Sequence, residues 1–82
     1  MIRNIDDLCE LVNEALSLEP GTIQPQSDSD SIKEWDSLGH LSVLVAIDEK
    51  ANGAAREVTE LSETMSVQGL YQILTRYQII LR

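Results

Sequence analysis

The sequence predicts an all-α fold: a four-helix bundle of three main helices and a short third helix, with a long loop between the first two. Apolar residues recur at helical spacing in several segments, and strand-like alternation is absent. The chain is rich in Leu, Ile, Val and Ala but contains no Phe, so its core should be aliphatic. Its 82 residues are expected to form a single domain, 1–82, with one modest core.

The first helix is predicted from about Asn4 to Leu16. Its apolar stripe consists of Ile5, Leu8, Val12 and Ala15. Asn4 is a good capping residue, and Asp6 and Asp7 stand in the first turn, where the helix dipole favours negative charge. Cys9 is the single cysteine and cannot form an internal disulfide, so we expect a small, half-buried apolar side chain.

A long connection over 17–34 separates this helix from the next. Pro20, Gly21 and Pro25, followed by alternating Ser and Asp over 27–31, are incompatible with regular structure. Loops of this length in a small domain are uncommon and are often functional. The apolar residues expected to hold the loop against the bundle are Ile23, Ile32 and Trp35.

Three further helices are predicted after the loop. The second helix covers about 37–50 and is ended by the Asn-Gly pair that follows it. A short third helix covers about 59–65. The last helix covers about 67–81, with Ser66 as its N-cap. Its inner stripe consists of Val67, Leu70, Leu74, Tyr77 and Leu81.

The second helix carries apolar residues on two sides, at 100° per residue. One arc, predicted to face the core, consists of Val43, Leu44, Ile47 and Ala51. The other arc consists of Leu38, Leu41 and Val45, beside Ser42, Asp48 and Glu49. The residues alone leave the second arc open between a second core face and an exposed binding surface.

The chain is strongly acidic. Fourteen Asp and Glu residues against six Lys and Arg residues give a formal net charge of −8. Such a charge repels nucleic acid and anionic lipid and attracts basic partner surfaces. No apolar stretch is long enough for a signal peptide or a membrane span. We therefore expect a cytoplasmic protein without nucleic-acid or membrane partners.

The tripeptide Asp36-Ser37-Leu38 is the most informative stretch, and it follows Trp35 directly. A serine at the start of a helix exposes its hydroxyl to solvent beside free backbone N–H groups. Such a position favours a phosphate group. On residue preference alone, Asp and Ser are also simply common at helix N-termini.

The string Trp35-Asp-Ser-Leu-Gly-His-Leu41, in a small acidic helical chain, resembles the acyl carrier proteins, and the resemblance covers the whole length. It implies that Ser37 carries 4′-phosphopantetheine, attached by a separate phosphopantetheinyl transferase, and that the arm's thiol holds an acyl group as a thioester. It also implies a monomer without catalytic activity of its own. Its further partners would be acyl-loading enzymes and acyl-transfer or condensing enzymes of a fatty-acid, polyketide or other specialised biosynthetic pathway.

The resemblance assigns the second arc and its acidic neighbours to partner docking. These residues are Glu34, Asp36, Leu38, Leu41, Val45, Asp48 and Glu49. Gly39 and Ser42 stand where fatty-acid carriers usually have acidic residues. The string is more similar to free-standing carriers of specialised pathways, some of which hold hydroxyacyl, glyceryl or aminoacyl units. An aminoacyl or peptidyl carrier, and an acidic helical interaction domain without a prosthetic group, remain alternatives.

His40 lies one helical turn after Ser37, which could suggest catalysis. We expect this lone histidine at the core edge or in solvent. No Ser-His-acid triad is discernible, and neither an enzyme nor a sizeable pocket is expected. No metal site is expected: the Asp pair at 28–30 does not continue as a calcium loop, because Lys33 stands where glycine is needed.

Overall fold

The computed structural model describes residues 4–79. Its helices, in chain order, are α1 (Ile5–Ala15), α2 (Ser37–Lys50), α3 (Glu60–Glu63) and α4 (Val67–Arg76). No β-strand occurs in the described residues, where an isolated antiparallel bridge joins Asp28 and Ser66. The predicted all-α bundle is therefore confirmed. Within the same stretch, no helix has the length and apolar composition needed to cross a membrane.

The helices begin where capping residues allow them to begin. The side-chain oxygen of Asn4 accepts a hydrogen bond from the amide of Asp7 at 3.0 Å, as the predicted cap requires. The Ser66 hydroxyl oxygen accepts in the same way from the amide of Gly69 at 3.1 Å. The starts of α1 and α4, together with both bounds of α2, therefore agree with the sequence prediction.

The three long helices end in the same manner. In each, the residue after the C-cap adopts a positive φ: Ser17 at 57°, Asn52 at 53° and Gln78 at 55°. The next residue then donates its amide back to the helix, as Gly53 does to the carbonyl of Asp48 at 3.0 Å. This closes a Schellman motif at each end. Of the three helix ends, only the Asn-Gly end of α2 was predicted from the sequence. Ser and Gln are not typical residues for the left-handed position after a C-cap.

α3 and α4 are shorter than predicted. α3 covers Glu60–Glu63 rather than 59–65, and α4 ends at Arg76. Tyr77, predicted in the inner stripe of the last helix, is instead its C-cap and is 49% exposed. The left-handed backbone of Gln78 is the physical reason that the helix stops there. Leu81, also predicted in that stripe, lies outside the described residues.

The core is aliphatic apart from one indole, as the composition predicted. Its largest fully buried side chains are Trp35, Leu8, Ile47, Leu61, Leu70, Val12, Val43 and Val67. Cys9, expected to be half-buried, is only 6% exposed and forms part of this core. Burial, with a further contribution from the charge of Asp6, raises the pKa of its thiol.

The long loop between α1 and α2 is held against the bundle by apolar side chains. Ile23 and Trp35 are buried and Ile32 is partly buried against the core, as predicted. Two backbone hydrogen bonds tie the loop to the start of α4. The Val67 amide donates to the carbonyl of Ser27, and the Ser29 amide donates to the carbonyl of Met65.

Asn13 on α1 organises the first part of the loop. Its Nδ2 donates to the carbonyls of Leu18 and Glu19 at 2.8 and 2.9 Å. Its Oδ1 accepts from the amide of Ile23 at 3.0 Å. The side chain is buried, and these three bonds satisfy its polar atoms, which is the condition for burying an amide.

Candidate functional site

Ser37 is the first residue of α2, and its side chain is exposed. Asp36 precedes it as the N-cap in an extended conformation, with φ −100° and ψ −168°. The Asp36 carboxylate accepts a hydrogen bond from the amide of Gly39 at 2.8 Å, which fixes where the helix starts. The Ser37 hydroxyl is consequently presented to solvent on a rigid turn.

The first turn of α2 leaves two backbone amides available. The amide of Gly39 is taken by the Asp36 cap, and the amide of His40 donates to the Asp36 carbonyl at 2.8 Å. Within residues 4–79, the amides of Ser37 and Leu38 meet no protein acceptor. These two N–H groups, with the positive end of the helix dipole, favour an anion near the Ser37 hydroxyl.

The two arcs of α2 differ sharply in burial. Val43 and Ile47, assigned to the core arc, are 0% exposed. The second arc stands in solvent: Leu38 is 76% exposed, and Leu41 and Val45 are each 57% exposed. The choice that the residues left open is thereby settled in favour of an exposed surface. We call these three residues the exposed strip.

The four acidic residues assigned to docking are not equivalent. Glu34 and Glu49 are exposed, and no ion pair or hydrogen bond engages their carboxylates within the described part of the chain. Asp36 is exposed but serves as the helix cap. Asp48 is half-buried, and its Oδ2 lies 3.1 Å from the guanidinium of Arg56. Glu34 and Glu49 are therefore the acidic side chains most available to a basic partner.

His40 is inside the protein, contrary to the expectation of a core-edge or solvent position. It is 3% exposed, and its Nδ1 lies 2.9 Å from Nε1 of Trp35. An indole N–H can only donate, so Nδ1 accepts and the ring proton resides on Nε2. That nitrogen donates to the carbonyl of Leu61 in α3 at 2.8 Å.

Both nitrogens of His40 are thus occupied by structural hydrogen bonds. Neither is available to take a proton from Ser37, so the arrangement does not form a catalytic pair. The bond between Trp35 and His40 was not predicted from the sequence. The sequence feature that could have indicated this bond is the spacing of the two residues, with Trp35 just before α2 and His40 in its first turn.

The surface carries open grooves, although no sizeable pocket was expected. A groove of about 550 Å³ lies between α2 and the segment containing α3. Its apolar lining consists of Leu44, Val45, Ala55, Val58 and Leu61. Val45 belongs both to this groove and to the exposed strip. A second groove of about 410 Å³ lies between α1 and the long loop.

No group of three or more His, Cys, Asp or Glu residues is arranged to hold a metal ion in residues 4–79. Comparisons with models of known protein families, with curated proteins and with solved structures give no match for this chain.

Proposed function

We propose that this chain is an acyl carrier protein, with 4′-phosphopantetheine esterified to the Ser37 hydroxyl. The observation that carries the proposal is the combination, on one helix, of an exposed serine at the first position and the exposed strip of Leu38, Leu41 and Val45. Exposed apolar side chains of this size, grouped on one face, are typical of interaction surfaces. The serine is the substrate of a separate transferase and needs no base within the chain.

The surroundings of Ser37 fit a phosphodiester. The hydroxyl is exposed, and the amides of Ser37 and Leu38 are free to donate. The carboxylate of the preceding residue, Asp36, accepts a hydrogen bond from the Gly39 amide and so acts as the helix cap. When attached, the arm supplies a thiol that carries acyl groups as thioesters.

The exposed strip would receive the partner enzymes. Its apolar side chains supply buried area, and Glu34 and Glu49 supply charge that complements basic residues on a partner. The proposed partners are a phosphopantetheinyl transferase, acyl-loading enzymes and acyl-transfer or condensing enzymes, which the monomeric carrier would meet in turn in the cytoplasm.

Two alternatives share this surface. An aminoacyl or peptidyl carrier would use the same serine and differ in cargo. A small acidic interaction domain would use the exposed strip without any arm on Ser37. The first alternative preserves the chemistry proposed for Ser37, whereas the second removes it, so attachment of the arm decides between the two classes.

Intact-mass measurement tests the proposal. The purified chain is incubated with coenzyme A, Mg²⁺ and a phosphopantetheinyl transferase of broad specificity. We expect one arm on the wild type, one on Ser42→Ala and none on Ser37→Ala. Ser42 is the matched control because it is also an exposed serine of α2. An unmodified wild type, or a modified Ser37→Ala, would overturn the proposal.

A further inference from the structure

α3 is a helix of one turn and depends on its neighbours for stability. It covers only Glu60–Glu63, and so short a helix does not persist in water on its own. Its side chain Leu61 is 2% exposed, so the turn is packed down onto the core. The position of α3 therefore depends on its contacts with the neighbouring helices.

Two polar links join α3 to the longer helices, and they differ in character. Toward α4, the Glu60 carboxylate pairs with Arg76 at 3.1 Å and accepts a hydrogen bond from the Tyr77 hydroxyl, both in exposed surroundings. Toward α2, the carbonyl of Leu61 accepts from His40 in the buried interior. Exposed ion pairs contribute little, whereas a buried polar group that loses its partner is costly.

The buried link extends beyond α3. Because Trp35 donates to Nδ1 of His40, the ring is held in the tautomer that donates to Leu61. The chain of two hydrogen bonds thus runs from the end of the long loop, through the first turn of α2, to α3. Leu61 also lines the groove of about 550 Å³ between α2 and the α3 segment. Movement of α3 away from α2 would therefore widen that groove.

We propose that His40 is a latch that holds α3 closed against α2, and that α3 opens locally, with the rest of the bundle intact, when the bond from His40 Nε2 to the Leu61 carbonyl is broken. Trp35 acts through His40 by fixing its tautomer. The groove shares Val45 with the exposed strip, so opening of α3 alters the surface offered to a docked partner. The latch itself does not require an arm on Ser37.

Two substitutions of His40 separate its two hydrogen bonds. An asparagine amide reaches the place of Nδ1, so His40→Asn keeps an acceptor for Trp35 and loses the donor to Leu61. A glutamine amide reaches the place of Nε2, so His40→Gln keeps the donor to Leu61. Ser42→Ala, an exposed change on the same helix, is the control.

Hydrogen exchange of the α3 amides is the readout, measured on the unmodified chain. The amides of Ser62 and Thr64 report on α3, since they donate to the carbonyls of Thr59 and Leu61. We expect their exchange relative to α1 to be accelerated about tenfold or more in His40→Asn, as loss of one buried hydrogen bond implies. His40→Gln and Ser42→Ala should resemble the wild type. Unchanged α3 exchange, or equal acceleration in every helix, would overturn the latch.

The wild type supplies a second measurement if His40→Asn does not fold. Exchange in low concentrations of urea should show α3 opening at a lower free energy, and with a smaller urea dependence, than α1 and α4. Opening of α3 only together with the whole bundle would overturn the proposal. Failure of arm attachment to Ser37 would reject the carrier function and leave this result unaffected, because the exchange experiments use the chain without an arm.

Discussion

Gly39 lies so close to the backbone carbonyl of Glu34 that a β-carbon at position 39 would overlap the carbonyl oxygen. The same β-carbon would lie 2.9 Å from a methyl group of Leu16. The first turn of α2 therefore packs directly on the end of the long loop. This explains the preference for glycine at position 39, because a β-carbon there has too little room.

We expect Gly39→Ala to lower the free energy of unfolding by about 1–3 kcal/mol, as overpacking usually does. Helix propensity predicts the opposite sign, because alanine is favoured over glycine by up to about 1 kcal/mol within a helix. Urea unfolding measures the difference, with Ser42→Ala as a control expected to stay within about 0.5 kcal/mol of the wild type. A stabilised Gly39→Ala would contradict the close packing.

Cys9 should be poorly reactive in the folded chain. Its burial, and after that the charge of Asp6, raise the pKa of the thiol, so less thiolate is present at a given pH than in a free cysteine. Reaction with an aromatic disulfide reagent should be slow in buffer and fast in urea that unfolds the chain. Equal rates in the two conditions would contradict the buried position.

The same shift of the Cys9 pKa predicts how stability depends on pH. The unfolded thiol ionises first, near its ordinary pKa of about 8.5. The favourable contribution is complete below that value and is lost as the pH rises toward the folded pKa. Cys9→Ala should therefore show a smaller loss of stability above about pH 8.5 than the wild type. An identical loss in both proteins would assign the effect to other groups.

Local signals predicted the starts of the long helices and the division of the apolar residues of α2 into two arcs. Asn4 and Ser66 cap their helices through their own side chains, which needs no knowledge of the rest of the fold. The two arcs of α2 follow from helical geometry alone. The end of α4 could not be predicted in this way, because Gln78 adopts a left-handed conformation without a residue type that favours it.

The candidate site was only partly predictable for a related reason. The place of Ser37 at the start of α2, and the grouping of Leu38, Leu41 and Val45 on one side, follow from positions along one helix. The exposure of that side did not, because the residues alone allowed it to be a second core face. The burial of His40 depends on where the Leu61 carbonyl lies, 21 residues later in the chain. The space around Gly39 likewise depends on the path of the loop at Glu34. Such contacts are products of tertiary packing and have no local pattern.

Association with a transferase should depend on salt and on the acidic residues near the exposed strip. Glu34→Lys and Glu49→Lys should each slow association, and so should added salt, since the Debye length is only about 10 Å at 0.1 M. Stopped-flow measurement of the on-rate tests this, with Glu14→Lys on α1 as a control of equal charge change. An on-rate that changes neither with salt concentration nor with the two substitutions near the exposed strip would contradict electrostatic steering.

Asp36→Lys is unsuitable for that test because Asp36 caps α2. Its removal should cost about 1 kcal/mol through the lost bond to Gly39. Any slower transfer would then combine a folding effect with a charge effect. Asp36→Ser, which retains a capping oxygen, isolates the charge and should slow association without a comparable loss of stability.

The two arcs of α2 should separate in mutagenesis, and two valines provide a matched pair. Val43→Ala and Val45→Ala remove the same atoms, but Val43 is fully buried and Val45 is 57% exposed. Val43→Ala should lower the free energy of unfolding measurably, and Ile47→Ala should lower it by about 2–4 kcal/mol through the cavity left behind. Val45→Ala should cost less than about 1 kcal/mol, as exposed substitutions do.

Transfer of the arm should show the reverse order. Val45→Ala and Leu41→Ala remove part of the exposed strip, so we expect a lower kcat/KM for the transferase at unchanged stability. Val43→Ala should be modified normally at temperatures where it remains folded, because its side chain is buried and does not belong to the exposed strip. If Val45→Ala and Leu41→Ala accept the arm at the wild-type rate while Val43→Ala does not, the exposed strip is not where the transferase binds, and the apolar contact with partners must be sought on another face.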